Sequence, residues 1–294
     1  MRAQLNQVIN GHTQLMGLLG EQISYTLSPL IHNHAAKSLG LNLVYLPLQL
    51  PSAQVGAFLQ VAWDMGALGF NVTTPHKALV ASLLPGHTLS SVNTIYRGTD
   101  RWQVASTDGP GFVQGLGHMG ADIDEFQDLV ILGDGGVVAA ILGHLANLHG
   151  LGLLARLPRV SILSRSHQVK EYLRLIWPDS SLVRFGNLSA ATLAAALAAA
   201  PEALIIQATS APHRGDDLAY LLPALNNFRG AFCDLVYGAS SKLLQFCRQS
   251  GLRVQDGQAM LIEQARQSQK LWWGQAASYE DLQAAIDAAR ALQI

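Results

Sequence analysis

A chain of 294 residues that is 49% hydrophobic and 13% charged is long enough for two domains and can bury a sizeable core, which excludes a disordered protein. Its formal net charge of -1 creates no basic field that would hold nucleic acid or an anionic membrane surface, and no run of like charges occurs. The composition therefore favours small-molecule partners.

The start of the chain and its apolar stretches carry no targeting or membrane signal. Residues 1–6 lack the apolar core of a signal peptide, and Asp134, Pro201 and Glu202 interrupt the longest apolar stretches. We expect a cytoplasmic protein that binds neither nucleic acid nor a membrane. Its oligomeric state stays open between a monomer and a homodimer.

Two strand–helix units are predicted at the start of the chain. They are a strand over 14–19, a helix over 28–39, a strand over 44–48 and a helix that ends near 65. Thr26 and Ser28 place two hydroxyls near the start of the first helix, where they suit a carboxylate. Serine before proline is also a common N-cap, so the local sequence leaves both interpretations open.

The stretch from Gly69 to Lys77 runs from an apolar strand into polar side chains and then into a helix. Residues 67–72 predict a short buried strand, with Thr74 as the N-cap of the next helix and Pro75 in its first turn. The surroundings of a strand end of this kind are a common place for a binding site in an α/β protein.

Asn71, Thr73 and Lys77 are expected to gather near the carboxyl end of this strand. An amide, a hydroxyl and an ammonium group together suit a small polyoxygenated anion. The alternative is a capped helix with a solvated lysine, because surface lysines are common.

A hairpin and a change of chain direction follow. The strands of the hairpin are predicted over 92–96 and 102–105, and Asp108 lies just after them, before a helix that starts at Phe112. We place a domain boundary here. Asp108 is a candidate for the site, and a helix N-cap is the alternative for it.

The remainder of the chain alternates strands and helices in the pattern of a doubly wound parallel sheet. Strands are predicted over 129–132, 160–163, 182–185, 204–207 and 232–236, and helices over 137–148, 169–176, 190–200, 258–273 and 279–292. We expect an α/β protein of two domains. Residues 1–108, completed by 256–294, form an N-terminal α/β substrate domain, and residues 109–255 form a Rossmann-like dinucleotide-binding domain.

The second domain begins with a glycine turn between a strand and a helix. Gly133, Gly135, Gly136 and Val137 form the arrangement that directs main-chain N–H groups and a helix dipole at a pyrophosphate. An ordinary strand–helix loop can need glycine for its φ angles alone.

The end of the next strand bears on the choice of dinucleotide. This strand ends in Ser164-Arg165-Ser166, where an NAD site would usually show an acidic residue for the ribose hydroxyls. The cation of Arg165 instead favours the 2′-phosphate of NADP.

A nicotinamide cofactor would imply hydride transfer at a carbon that bears oxygen, and that oxygen must exchange a proton. Lys77 and Asp108 are the candidates for this step, the ammonium as acid and base and the carboxylate as its partner. The histidines at 32, 34 and 76 have no spacing typical of metal ligands, and we expect no metal.

Four motifs together resemble the shikimate dehydrogenase family over nearly the whole chain. Residues 69–77 are similar to its GxNVTxPxK signature, 91–94 to its AVNT stretch, 106–109 to its NTDG motif and 257–264 to its GxxMLxxQ helix. The resemblance implies reversible NADP-dependent reduction of 3-dehydroshikimate to shikimate, with NAD as the alternative cofactor.

The resemblance also implies roles for individual residues. It makes Lys77 and Asp108 the catalytic pair. The implied substrate contacts are Thr26, Ser28, Asn71, Thr73, Asn93, Tyr237 and Gln264. The implied cofactor contacts are Gly133, Gly135, Gly136, Val137, Ser164, Arg165, Ser166, Thr209, Leu235 and Gly257.

The departures from the family pattern concentrate on the cofactor side. Gly133-Asp134-Gly135-Gly136 stands where the family has GAGG, which puts a carboxylate beside the expected pyrophosphate, and Gln207 replaces the asparagine of the NATS motif. Thr26 replaces a serine at the carboxylate end. The alternatives are therefore a relative that uses quinate or aminoshikimate, and a substrate-binding or regulatory relative with impaired cofactor binding.

Overall fold

The protein, represented by a computed structural model, is described over residues 9–89, 91–165, 171–238 and 241–292. It divides into two compact units, Met1–Thr107 with Ile262–Ile294, and Asp108–Leu261. No described helix is both long and apolar enough to cross a membrane.

Strands and helices alternate along most of the chain. The strands are β1 Gln14–Gly20, β2 Leu43–Gln49, β3 Gly69–Val72, β4 Thr94–Arg97, β5 Trp102–Ala105, β6 Asp128–Leu132, β7 Arg159–Ser164, β8 Val183–Asn187, β9 Leu204–Gln207, β10 Ala231–Asp234 and β11 Arg253–Gln255. The helices are α1 Ser28–Ser38, α2 Val55–Asp64, α3 His76–Leu83, α4 Asp108–Leu116, α5 Gly136–Gly150, α6 Glu171–Ile176, α7 Ala190–Ala199, α8 Lys242–Gln249, α9 Gly257–Trp273 and α10 Tyr279–Ala291.

The first unit contains a mixed sheet in the order β2-β1-β3-β4-β5. β1 pairs in parallel with β2 and β3, and β4 is antiparallel to both β3 and β5, which confirms the predicted hairpin. A Cβ on Gly69 would lie 2.3 Å from the Ile95 carbonyl oxygen and 2.4 Å from Trp272 Nε1, so only glycine fits where α9 packs on β3.

The second unit contains a fully parallel sheet in the order β11-β10-β9-β6-β7-β8. Leu129 and Ile131 of β6 pack on one face in the core that includes Leu142 of α5, whereas Val130 and Leu132 pack in the core on the other face. Both faces are buried, which confirms the predicted doubly wound sheet.

The strand order places a topological switch point between β6 and β9. The chain proceeds from β6 to β7 and β8 on one side, and from β9 to β10 and β11 on the other. Ligands of such sheets bind outside the carboxyl ends of the strands at the switch point. The turns that follow β6 and β9 are therefore the part of this unit to inspect for a dinucleotide.

The second unit departs from the prediction at one helix start and at two elements that were not predicted. Helix α4 begins at Asp108 rather than at Phe112, because Pro110 falls in the first turn, where its missing N–H has no helical partner to lose. Helix α8 and strand β11 were not predicted. α8 buries only a narrow stripe, Leu243, Leu244 and Cys247, among polar residues, and eight residues are too few for a clear periodic signal.

Candidate active site

The turn after β3 differs from its predicted form. Helix α3 begins at His76, and Pro75 occupies the N-cap position without a side-chain capping hydrogen bond, so the predicted Thr74 cap and Pro75 first turn were wrong. The His76 N–H instead donates to the Thr73 carbonyl at 2.9 Å, which closes a turn before the helix. Lys77 is the second residue of α3 and is partly buried.

His76 anchors this helix start and was missed as a structural residue. Its ring is fully buried, with Nε2 2.8 Å from the Leu50 carbonyl oxygen and Nδ1 3.3 Å from Ser52 Oγ. A carbonyl oxygen only accepts, so Nε2 carries a proton and donates. The contact fixes the residue next to Lys77 against the segment after β2.

Thr26 and Ser28 lie together at the start of α1. The Ser28 N–H donates to Thr26 Oγ1 at 3.2 Å, and the two hydroxyl oxygens are 3.1 Å apart. Ser28 is the first residue of α1, and the N-cap position belongs to Leu27, so the everyday N-cap interpretation of Ser28 was wrong. Two hydroxyls at the N-terminus of an 11-residue helix suit a carboxylate.

Asn71 is almost fully buried, with 4% of its surface exposed. Its Oδ1 accepts from the Tyr45 hydroxyl at 2.8 Å. Its Nδ2 lies 3.2 Å from the Asn93 carbonyl oxygen, 3.1 Å from Thr94 Oγ1 and 3.0 Å from Ser268 Oγ. The side chain joins β2, β4 and α9 to the strand that carries it.

Asn93 and Gln264 meet although 171 residues separate them in sequence. Asn93 Nδ2 donates to Gln264 Oε1 at 3.2 Å, and the Thr107 N–H donates to Asn93 Oδ1 at 2.7 Å. The first unit therefore brings Asn71, Asn93 and Gln264 into one hydrogen-bonded group, with Thr73 following at the end of β3.

Two predicted site residues belong to the second unit. Asp108 is the first residue of α4 and is 6% exposed. Tyr237 follows β10 and is partly buried, with its ring centroid 6.2 Å from that of His213 in an edge-on arrangement.

The glycine turn after β6 has the geometry that requires glycine. Gly133 has a φ of 112°, and a Cβ there would lie 3.1 Å from the main-chain carbon of Ala208. Its N–H donates to the Leu163 carbonyl at 2.7 Å. Gly135 and Gly136 follow at the exposed N-terminus of the 15-residue helix α5, whose N-cap, Gly135, makes no side-chain capping hydrogen bond.

A cleft of about 270 Å³ opens at the carboxyl ends of β6, β7 and β9. Five predicted cofactor residues line it, Gly133, Gly135, Ser164, Arg165 and Thr209. Gly136 and Val137 begin α5 beside it, and Ser166 lies outside the described residues. The open helix N-terminus and the exposed guanidinium of Arg165 fit a phosphorylated dinucleotide.

The remaining predicted cofactor residues lie at close main-chain contacts. A Cβ on Gly257 would lie 2.4 Å from the Leu235 carbonyl oxygen, and the Gly257 N–H donates to the Val236 carbonyl at 3.1 Å. The Leu235 N–H donates to the Gln207 carbonyl at 2.9 Å. Main-chain packing therefore holds Gly257, the first residue of α9, against Leu235, which follows β10.

Asp134 and Tyr220 are two further residues near the cleft and Arg165. Tyr220 was not predicted from the sequence. Asp134 lines the cleft beside the glycines. Burial and the Asp216 carboxylate raise the pKa of Tyr220, and the Arg165 guanidinium opposes them. Arg165 therefore lies within electrostatic reach of Tyr220.

Gln207 and Asp234 shape the loop after β9. The Thr209 N–H donates to Gln207 Oε1 at 2.6 Å, and Gln207 Nε2 donates to Asp234 Oδ1 at 3.2 Å. The Ser241 hydroxyl donates to Asp234 Oδ2 at 2.7 Å. Burial raises the pKa of Asp234 to about 6, against these hydrogen bonds, which favour the ionised carboxylate. Gln207 thus holds Thr209 at the cleft wall.

Comparison of the sequence with known proteins gives one family model and several similar enzymes of the same name. The family model for the shikimate dehydrogenase substrate binding domain matches residues 18–95. The shikimate dehydrogenase (NADP(+)) of Microcystis aeruginosa is 30% identical over 282 residues, which cover 91% of this chain and 94% of that protein. The enzyme of the same name from Magnetococcus marinus is 32% identical over 279 residues, which cover 90% of this chain and 93% of that protein.

Solved structures agree with the sequence comparison. A shikimate dehydrogenase crystallised in complex with NADP+ has a TM-score of 0.80 at 25% identity, over 97% of this chain and 98% of that one. Shikimate 5-dehydrogenase from Thermus thermophilus, in complex with NADP(H) and shikimate, has a TM-score of 0.75 at 26% identity, over 94% of this chain and 100% of that one.

Proposed function

Because the chain belongs to the shikimate dehydrogenase family, we propose that it catalyses the reversible NADP-dependent reduction of 3-dehydroshikimate to shikimate. The observation that carries the proposal is the joint presence of Lys77 at a polar strand end and a glycine-lined cleft at the switch point of a parallel sheet. The relatives named above are NADP-dependent enzymes that match this chain over nearly their whole length.

The chemistry divides between the cofactor and the side chains of this chain. A bound NADPH would supply the hydride for reduction of the carbonyl carbon. Lys77 gives a proton from Nζ to the developing alkoxide oxygen, which completes the alcohol, and takes that proton back in the reverse direction. The family pattern assigns Asp108 the role of partner to Lys77 in this proton transfer.

The other residues bind and orient the substrate. The hydroxyls of Thr26 and Ser28, at the N-terminus of α1, donate to its carboxylate. Thr73, Asn93, Tyr237 and Gln264 receive the ring hydroxyls. The methyl group of Thr26 narrows the carboxylate end, so quinate and aminoshikimate are the nearest substrate alternatives.

The cofactor contacts follow from the cleft of the second unit. Main-chain N–H groups at Gly135, Gly136 and Val137 would hold the pyrophosphate, and Arg165 would pair with the 2′-phosphate. Asp134 lines the same cleft and opposes anion binding, which favours a substrate-binding relative as the second candidate. We further propose a cytoplasmic monomer or homodimer.

Lys77→Ala tests the proposed catalytic role. We expect kcat for dehydroshikimate reduction to fall by about 100- to 10,000-fold, because a positioned acid contributes that much to proton transfer. Lys37→Ala, at an exposed lysine near the end of α1, is the matched control and should leave kcat unchanged. Turnover of Lys77→Ala close to that of the wild type would sink the assignment.

Calorimetric titration separates the enzyme from the binding relative. The wild-type protein should bind both NADP and shikimate. If shikimate binds while neither NADP nor NAD does, the chain is a substrate-binding relative rather than a dehydrogenase.

A further inference from the structure

The partners of the Asn71 amide determine its orientation. The Asn93 main-chain carbonyl can only accept, so the Asn71 atom 3.2 Å away must be the amide nitrogen. The amide oxygen then faces Tyr45, whose hydroxyl donates to it at 2.8 Å. Protein groups occupy both ends of this amide, and the side chain is almost fully buried. Such an arrangement favours a supporting role for Asn71 over direct contact with a ligand.

The same argument orients Asn93 and Gln264. A main-chain N–H can only donate, so the Asn93 atom 2.7 Å from the Thr107 nitrogen is the amide oxygen. Asn93 Nδ2 then points to Gln264 Oε1 at 3.2 Å. The amide nitrogen of Gln264 is consequently the end of that amide turned away from Asn93. The network therefore fixes the orientation of both amides, with protein groups in contact with both ends of Asn93 and with the oxygen end of Gln264.

Ser268 connects this network to helix α9. It lies one turn after Gln264, is fully buried, and its hydroxyl donates to the Gln264 carbonyl at 3.1 Å. The same oxygen is 3.0 Å from Asn71 Nδ2 and 2.9 Å from Thr94 Oγ1. Ser268 thereby ties the turn of α9 that carries Gln264 to strands β3 and β4.

We propose that Tyr45 and Ser268 are positioning residues for the reaction. By holding the Asn71 amide they fix Thr94 and the Gln264 turn of α9, and so the amide groups that Asn93 and Gln264 present to the substrate. Removal of the Tyr45 hydroxyl takes from Asn71 Oδ1 the donor at 2.8 Å, and removal of the Ser268 hydroxyl takes from Asn71 Nδ2 and Thr94 Oγ1 their contacts to α9 at 3.0 and 2.9 Å. Either loss shifts the amide and its neighbours. The inference rests on the proposed function and extends its substrate site to two further residues.

Tyr45→Phe and Ser268→Ala remove the two hydroxyls with little change in volume. We expect each variant to lower kcat/KM for shikimate by about tenfold, the equivalent of one lost hydrogen bond, with KM for NADP within about twofold of the wild type. Both changes act through Asn71, so the double variant should lose less than the product of the two single losses. If the two substitutions caused independent structural defects, the two fold-losses in kcat/KM would multiply in the double variant.

Ser91→Ala is the matched control. Ser91 is a buried serine of the same unit whose hydroxyl has no hydrogen-bond partner among the described residues, and its variant should retain wild-type kcat/KM. Any of three results overturns the inference. One is that either test variant keeps kcat/KM within about twofold of the wild type. Another is that kcat falls only in proportion to the amount of folded protein that is lost. The third is that the two single losses multiply in the double variant. A wild-type protein without turnover overturns the proposed function, and this inference with it.

Discussion

Arg165 is the residue that most directly bears on the choice between NADP and NAD. It is exposed at the cleft that follows β7 and lies within electrostatic reach of Tyr220. A guanidinium pairs well with a phosphate and gains nothing comparable from a ribose hydroxyl. We therefore expect this position to discriminate between two cofactors that differ by one phosphate.

Arg165→Ala should raise KM for NADP by about tenfold or more while it leaves KM for NAD nearly unchanged, because only NADP loses a charge-assisted contact. Steady-state kinetics with each cofactor measures both values. Arg184→Ala removes another exposed arginine of the same unit and should alter neither. Equal effects on both cofactors would show that Arg165 does not read the 2′-phosphate.

At the scale of the element, the turn between β6 and α5 is the part of the second unit with the tightest backbone demand. Gly133 combines a φ of 112° with a Cβ position 3.1 Å from the main-chain carbon of Ala208, so a side chain would be strained and crowded at once. The turn can direct the N-terminus of α5 into the cleft only while this position stays glycine.

Gly133→Ala should lower the free energy of unfolding by about 1–3 kcal/mol and raise KM for NADP, because the strained turn shifts the start of α5. Urea unfolding and NADP titration measure the two effects. Gly150→Ala, at the other end of the same helix, has open space around its Cβ and an unstrained φ, and it should change neither quantity. A stable Gly133→Ala protein with normal NADP binding would contradict the assigned role of the turn.

At the scale of the whole molecule, Asp234 makes stability depend on pH. Its pKa is about 6 in the folded protein, against the ordinary value of 3.8 that represents the unfolded chain, because burial disfavours the charge. Between these values the folded state binds more protons than the unfolded state. The free energy of unfolding therefore falls as pH rises from about 4 to about 6, by at most about 3 kcal/mol.

Asp234→Asn, which imitates the protonated acid, should remove this part of the pH dependence. Urea unfolding of the wild type and the variant at about pH 4 and about pH 7 gives the comparison. We expect the wild type to lose more stability than the variant between these two pH values, by up to about 3 kcal/mol. Parallel pH profiles would show that the pKa of Asp234 is the same in the folded and unfolded protein.

The sequence by itself determined the order of most strands and helices, the doubly wound second unit and the motifs that hold Lys77 and Gly133. These features have local causes: alternation of apolar residues, helix-starting residues, and glycine at a turn between a strand and a helix. Local patterns were least reliable where a proline lay at a helix start, as at Pro75 and Pro110, since a proline suits more than one position there.

Only the tertiary structure decided which buried polar groups meet. Asn71 contacts Tyr45 across 26 residues and Ser268 across 197. Gln207 reaches Asp234 across 27 residues. No local pattern marks such pairs, because a buried amide or carboxylate takes its partners from whichever elements the sheet places beside it. The physical reason is that burial makes these hydrogen bonds obligatory, while the fold alone chooses the partners.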